Sequence, residues 1–216
     1  MVEGPSERWA IPLFAKAVGT DLDEYALSLA EVGGSGYRVM MKVLGKDAFA
    51  VPWVIISDGE KSTLQALSHQ LRDAGYATQS AVDAASTAGR LREDLLVPRD
   101  CFAYDEGIDF ERLLIVSGDP ELVSAGIDSV LGRGAFERFV RDEDHRKRGF
   151  ATLPPREQLR AFFDSGMATS NKPPLARAIA ESLTNGGTDG SHVPAVIRDA
   201  LARARDLADE IQVKMW

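Results

Sequence analysis

The sequence predicts an α/β fold, in which a mostly parallel sheet is flanked by helices and accompanied by an additional helical lobe. In the first third of the chain, short apolar or β-branched runs alternate with segments of helical periodicity, the order typical of parallel sheets. Beyond residue 132, only helical patterns follow. We therefore predict a core over 1–132, a helical insertion or lobe over 133–170, and C-terminal helices over 171–216 that complete or cover the core.

The composition agrees with a single compact unit. The chain has 216 residues, of which 44% are hydrophobic, enough for one good core. Its single cysteine, Cys101, excludes an intrachain disulfide and favours a reducing compartment, so we expect a cytoplasmic protein. No apolar run has the length of a membrane span, and no secretory pattern opens the chain, so we expect no membrane partner.

The first elements are predicted from turn-forming and helix-capping residues and from the spacing of apolar residues. Val2-Glu3 has the character of the end of a strand, and Ser6 is a plausible N-cap for a helix from Glu7 to Val18. A second strand is predicted over Tyr25 to Val32, followed by a helix over Tyr37 to Leu44.

The strongest strand signal is Pro52 to Ile56, a continuous apolar run with β-branched residues. A helix is predicted over 62–74, and a weakly amphipathic one over Tyr76 to Leu96. Leu113 to Val116 is predicted to be a further buried strand, because it is short and apolar and ends in a polar turn at residues 117–121. The later helices are predicted over 135–147, 155–165, 173–184 and 193–213.

Acidic residues follow each of the three best strand ends. Glu3 and Glu7 flank the first strand-to-helix turn, Asp58 and Glu60 flank Gly59 after the second, and Ser117-Gly118-Asp119-Pro120-Glu121 follows the third. Ligands bind at the carboxyl ends of strands in α/β sheets, and carboxylate oxygens are the ligands that hard divalent cations prefer. The pattern therefore favours one shared metal site. The competing interpretation is a set of solvated turns, with Glu7 stabilising a helix N-terminus.

These motifs carry a family resemblance. V-E-G-P-S-E, from Val2 to Glu7, and V-I-I-S-D-G-E, ending at Glu60, resemble the Toprim domain, whose signature is a strand-end glutamate and an acidic D-x-D pair. Together with R-W-A-I-P-L-F and E-V-G-G, they look like the C-terminal Toprim nuclease region of the OLD (overcoming lysogenization defect) family. The resemblance is close over most of residues 2–60 and scattered beyond them.

The resemblance implies a Toprim-like catalytic core that acts as a metal-dependent DNA endonuclease or nickase, with two Mg²⁺ or Mn²⁺ ions. It assigns metal binding to Glu3, Glu7, Asp58 and Glu60, although a glutamate at position 60 departs from the D-x-D pattern. A Thr-Leu-Glu-like turn of the family matches Ser117 and Asp119, with Glu121 as the competing match. Lys172, at the opening of a late helix, corresponds to a lysine that stabilises the phosphate in the transition state. The resemblance thus assigns catalytic roles to Glu3, Asp58 and Lys172.

The resemblance also implies partners. These are DNA and an N-terminal ABC-type ATPase region. The phosphate-binding motif of such an ATPase, G-x-x-x-x-G-K-[ST], does not occur in this sequence, so we expect the ATPase to lie outside this chain. The strand that ends at Glu3 has almost no residues before it, so we expect preceding sequence in the full protein.

Two other classes of function fit the acidic residues. One is a Mg²⁺-dependent phosphotransfer or phosphoacceptor domain, with Asp58 phosphorylated and Lys172 contacting the phosphate. The other is a non-catalytic dimerisation module with degenerate acids.

A basic cluster over 138–148 could follow a phosphate backbone, but the interleaved acids favour a solvated helix face. The three histidines, at positions 69, 145 and 192, do not have the spacing of a metal site.

Overall fold

The computed structural model describes residues 1–33, 36–45, 47–80, 82–83, 100–186 and 190–215. The strands are β1 (Ile55–Ser57) and β2 (Cys101–Ala103). The α-helices are α1 (Pro5–Ala17), α2 (Tyr37–Leu44), α3 (Lys61–Asp73), α4 (Phe110–Ser117), α5 (Pro120–Leu131), α6 (Ala135–Arg141), α7 (Glu143–Lys147), α8 (Pro155–Phe163), α9 (Gly166–Thr169), α10 (Lys172–Asn185) and α11 (Ala195–Met215).

The sheet is parallel, and the start of the chain belongs to it. Strand β1 pairs with β2 so that Ser57 lies opposite Ala103. On the other edge of β1, the Ile56 amide donates to the Met1 carbonyl over 3.0 Å. Val2 in turn forms a parallel bridge with Glu31. The order across the sheet is therefore 30–33, 1–3, β1, β2, which confirms the predicted mostly parallel sheet.

The strand predicted over Tyr25 to Val32 begins too early. Its pairing starts at Ala30, whose carbonyl accepts from the Val2 amide over 2.9 Å. The Tyr25 amide instead donates to the Asp21 carbonyl over 3.2 Å, within a turn. The apolar side chains before Ala30 therefore belong to a connection, a distinction that local pattern does not make.

Helices cover both faces of the sheet, as the fold class requires. Successive residues of β1 point to opposite sides: Ile55 packs into the apolar cluster beneath α2 and α3, and Ile56 into the larger cluster beneath α1 and α10. Helix α1 packs against α10 and α11.

The larger apolar cluster joins distant parts of the chain. It contains Phe14, Phe139 and Leu175, one from each of the predicted ranges 1–132, 133–170 and 171–216. The division of the chain at residues 132 and 170 stays a prediction.

The predicted strand at Leu113 to Val116 is wrong, because these residues lie inside helix α4. A four-residue apolar run has no periodicity that separates a strand from a buried helix. The helix is set by the residue before it: the Asp109 side chain accepts from the Arg112 amide over 2.8 Å and caps the N-terminus. The strand that precedes α4 is β2, which was not predicted.

The later helices agree with their predicted positions, apart from a break at Asp142 that divides 135–147 into α6 and α7. Most of the helix predicted over Tyr76 to Leu96 lies outside the described residues. Among the helices that the structure describes, none combines the length and the apolarity needed to cross a bilayer.

Candidate functional site

The carboxyl edge of the sheet brings three chain segments together. Glu3 follows Val2, Asp58 follows β1, and Tyr104 follows β2. Backbone hydrogen bonds hold these ends in place: the Gly33 amide donates to the Glu3 carbonyl over 2.9 Å, and the Tyr104 amide to the Ser57 carbonyl over 3.0 Å. The two acidic strand ends of the resemblance therefore lie at one edge.

The turn at residues 58–60 is locked against the turn that follows β2. The Gly59 amide donates to the Ile108 carbonyl over 2.9 Å, and the Gly59 carbonyl accepts from the Gly107 amide over 3.0 Å. A Cβ atom at position 59 would lie 1.9 Å from the Asp105 carbonyl oxygen. Glycine is thus required at position 59 because two stretches of backbone approach each other closely there. This reason adds to the one expected from the sequence, which is the bend between Asp58 and Glu60.

Helix α1 presents its first turn to the same edge. Its N-cap is Gly4, and no side chain caps it, so the predicted capping role of Ser6 is wrong. The buried Ser6 hydroxyl instead donates to Glu111 Oε1 over 2.8 Å. Glu7, the next residue, is also buried. Ser6 is therefore used to hold a distant carboxylate.

Glu111 is the site residue that the sequence analysis missed. It lies in the first turn of α4 and its side chain is only 7% exposed. Its second oxygen, Oε2, accepts from Lys172 Nζ over 3.1 Å. Lys172 is the first residue of α10, which confirms its predicted place at the opening of a late helix. The missed signal was Asp109, an N-cap residue type just before an apolar run.

The carboxylates at this edge repel one another. Burial, followed by the charges of Glu3, Asp109, Glu111 and Glu60, raises the pKa of Asp58 to about 7. Burial, reinforced by Asp58, Glu111 and Glu3 and opposed by a backbone hydrogen bond, raises the pKa of Glu7 to about 8. Burial and the charge of Glu60 also raise the pKa of Glu3. The acidic cluster therefore has more negative charge than nearby positive charge can balance.

Lys172 supplies part of that charge. Its partial burial alone would lower its pKa, but the charge of Glu111, their hydrogen bond, and the charges of Asp109 and Asp58 raise it. The ammonium group therefore stays protonated beside the acids. Its hydrogen bond is to Glu111, and it acts on Asp109 and Asp58 through charge alone.

The side chains at this edge are suited to binding a divalent cation, because they are carboxylates and some of their buried oxygens are not hydrogen-bonded within the described part of the chain. Glu3 Oε2 and Asp58 Oδ1 are buried and have no hydrogen-bond partner among the residues that the structure describes. Unpaired carboxylate oxygens are the donors that Mg²⁺ and Mn²⁺ take. Within the described ranges, however, no three acidic, histidine or cysteine side chains converge closely enough to hold an ion as they stand.

Ser117, Asp119 and Glu121 do not follow a strand. Ser117 ends α4, an eight-residue helix that begins beside Asp109, so about 12 Å of helix separates the two ends. The Asp119 carboxylate caps α5, accepting from the Glu121 amide over 2.9 Å and from the Leu122 amide over 3.3 Å. The strand that supported their assignment is absent, and Asp119 has a structural partner.

The basic cluster and His145 make contacts that stabilise the helices in which they lie. In the basic cluster, Arg141 pairs with Glu137 over 2.6 Å and Lys147 pairs with Glu143 over 2.9 Å, both on exposed helix faces. The His145 ring stacks on Phe150, with 5.0 Å between ring centroids. These contacts agree with the solvated helix face that the interleaved acids favoured.

Comparisons with known proteins agree with this geometry. The sequence model of the family described as "Overcoming lysogenization defect protein-like, TOPRIM domain" matches residues 1–59. The C-terminal region of the OLD protein from Xanthomonas campestris pv. campestris has a TM-score of 0.68 at 21% identity, over 100% of this chain and 95% of that chain. The C-terminal region of the Burkholderia pseudomallei OLD protein has a TM-score of 0.62 at 24% identity, over 96% of each chain. None of the curated proteins matches this chain.

The two kinds of match support different statements. The structural likeness, at these identities, establishes the fold over the whole chain. The family match covers the segment that contains Glu3, Glu7 and Asp58. The resemblance found in the sequence is thereby confirmed: residues 1–59 match the OLD-like Toprim family model, and the chain has the fold of the C-terminal regions of OLD proteins.

Proposed function

We propose that this chain is a metal-dependent nuclease domain that hydrolyses DNA phosphodiesters with two Mg²⁺ or Mn²⁺ ions. The observation that carries the proposal is the pair of buried, unpartnered oxygens, Glu3 Oε2 and Asp58 Oδ1, at the carboxyl edge of a parallel sheet. Leaving such oxygens without a partner costs free energy, which a bound cation would recover. The match of residues 1–59 to the OLD-like Toprim family supports the reaction class.

The residues that would hold the ions come from three segments of this edge. They are Glu3 and Glu7 at the start of the chain, Asp58 and Glu60 after β1, and Glu111 in α4. Glu111 takes the place that the sequence gave to Ser117, Asp119 or Glu121, because it follows the strand β2 and contacts Lys172. Bound Mg²⁺ or Mn²⁺ would supply Lewis acidity, water activation and charge for the leaving oxygen.

The chain's own residues prepare the site for a polyanion. Ser6 holds Glu111 by one oxygen while Lys172 contacts the other, so the lysine is fixed at the rim of the acidic cluster. Lys172 is 39% exposed at its side chain, which lets it reach a phosphate oxygen from solvent. A fixed cation aimed at the phosphate stabilises the charge that develops in the transition state.

The raised pKa values of Glu7 and Asp58 bear on how the site would bind a cation. At neutral pH the Glu7 carboxyl is mostly protonated and the Asp58 carboxyl is about half protonated, which lowers the negative charge of the cluster. Binding a cation would release those protons, as metal binding to buried acids does.

For the full protein, we propose a separate N-terminal ABC-type ATPase region and a cytoplasmic location. The structural matches are to regions described as C-terminal, which supports a preceding part. Cys101 is a free, buried thiol, which fits a reducing compartment.

The proposal is tested with supercoiled plasmid DNA. The purified chain with Mn²⁺ or Mg²⁺ should nick or linearise the plasmid, and EDTA should stop the reaction. Asp58→Asn keeps the shape of the side chain and should abolish the cleavage, whereas Asp209→Asn, at an exposed position of α11, should leave it unchanged. Equal cleavage by wild type and Asp58→Asn would reject this site. A beryllofluoride adduct on Asp58, without any DNA cleavage, would favour the phosphoacceptor alternative.

A further inference from the structure

Tyr104 places an unpartnered hydroxyl inside the protein. The residue follows β2 and is 0% exposed, and no described residue forms a hydrogen bond with its hydroxyl. The other tyrosine of this region, Tyr37, is also buried, but its hydroxyl donates to the Ile56 carbonyl over 2.9 Å. Two buried tyrosines thus differ in one respect: only Tyr37 has its hydroxyl bonded to the fold.

The backbone sets Tyr104 beside Asp58. The register pairs Ser57 with Ala103, so the next positions along the two strands are Asp58 and Tyr104. Alternation places Tyr104 in the same apolar cluster as Ile56 and Phe102, on the α1 side of the sheet. Asp58, two residues after Ile56, continues toward that same side.

The surroundings of the hydroxyl are acidic. Burial, and then the charges of Glu7 and Asp58, keep the pKa of Tyr104 well above its ordinary value, so the group remains a hydrogen-bond donor. Asp58 Oδ1 is itself buried and unpartnered. An unsatisfied donor and an unsatisfied acceptor therefore lie at neighbouring strand ends.

We propose that Tyr104 is a positioning residue of the metal site, whose hydroxyl donates a hydrogen bond to whichever Asp58 carboxylate oxygen does not hold the divalent cation. The bond fixes the carboxylate in the orientation that presents its second oxygen to the ion. Such outer partners of metal-binding carboxylates raise metal affinity by fixing ligand geometry. This inference rests on the proposed function, because it assumes that Asp58 is a metal ligand.

The test compares Tyr104→Phe with Tyr37→Phe, each of which removes only a hydroxyl. Mn²⁺ affinity is measured by isothermal titration calorimetry, and stability by urea unfolding in EDTA. We expect Tyr104→Phe to keep the urea midpoint of the wild type and to weaken Mn²⁺ binding by about tenfold or more. Tyr37→Phe should instead lower the midpoint, because it leaves the Ile56 carbonyl without its donor.

The outcomes separate this inference from the proposed function. If wild type and Tyr104→Phe bind Mn²⁺ equally, the positioning role is rejected and the metal site stands. If Tyr104→Phe loses stability in parallel with its affinity, the role of the hydroxyl is structural, and the inference is again rejected. If wild type binds neither Mn²⁺ nor Mg²⁺, the proposed function fails, and this inference fails with it.

Discussion

Lys172 Nζ lies 3.1 Å from Glu111 Oε2, although 61 positions separate the two residues in the chain. The contact joins the first turn of α4 to the first turn of α10. It gives Lys172 a hydrogen bond to one acid of the site, while Glu3 and Asp58 each keep an oxygen that has no hydrogen-bond partner among the described residues. A divalent cation bound among these acids would offset their mutual repulsion.

The role of Glu111 is tested by Glu111→Gln. This change keeps the shape of the side chain but removes the charge that contacts Lys172, so we expect metal-dependent plasmid cleavage to fall by about 10²-fold or more. The variant is compared with Glu137→Gln, which removes an exposed acid paired with Arg141 on α6.

Circular dichroism melts of both variants show whether the fold is kept. A Glu111→Gln protein that is folded and cleaves DNA at the wild-type rate would remove Glu111 from the site. In that case, Asp119 and Glu121 return as the candidates for the third acidic group.

Gly59→Ala tests the close approach of the two turns at the edge of the sheet. The added Cβ would lie 1.9 Å from the Asp105 carbonyl oxygen and 2.5 Å from that of Tyr104, so backbone must move. We expect the free energy of unfolding to fall by about 3 kcal/mol, as measured by urea denaturation. Gly166→Ala is the control, because a Cβ there meets no atom within 4 Å. Equal losses in the two variants would contradict the steric explanation.

The metal-free protein should become less stable as pH rises from about 5 to about 8. The folded-state pKa values of Glu7, about 8, and Asp58, about 7, lie above the ordinary carboxyl values of an unfolded chain. The folded state therefore binds more protons than the unfolded state in this window, and its stability declines with pH. Each group contributes at most about 1.4 kcal/mol per pH unit. Urea unfolding in EDTA at several pH values measures the slope.

Glu7→Gln removes one of these groups and should flatten that slope. Adding Mn²⁺ to the wild type at about pH 8 should restore stability, because the ion then replaces the lost protons. A wild-type protein in EDTA that is more stable at pH 8 than at pH 5.5 would contradict the predicted direction.

Asp119→Ala tests the structural role of a residue that the sequence placed at the metal site. The side chain accepts from two backbone amides at the start of α5, so its loss should lower the free energy of unfolding by about 1 kcal/mol. Asp119→Asn is the conservative comparison, since asparagine caps helices nearly as well, and it should regain most of that stability. If Asp119→Asn instead abolished Mn²⁺ binding while keeping full stability, Asp119 would be a ligand.

The sequence by itself determined the acidic residues at the first two strand ends. V-E-G-P-S-E and D-G-E are local patterns, and their positions after apolar runs place Glu3 and Asp58 at one edge of any parallel sheet. Lys172 was assigned through the family resemblance, which includes a lysine at the opening of a late helix. These predictions depend on short-range order, which a sequence states directly.

Only the tertiary structure decided the third acidic segment and the partners of each acid. Leu113 to Val116 forms a helix because Asp109 caps it and its apolar face packs into the core, and a short apolar run alone does not reveal that choice. Ser6 donates a hydrogen bond to Glu111 across 105 positions, and strand register places Tyr104 at the position next to Asp58. Such contacts arise from the packing of α1, α4 and β2 against one another, and they have no signature in the local sequence.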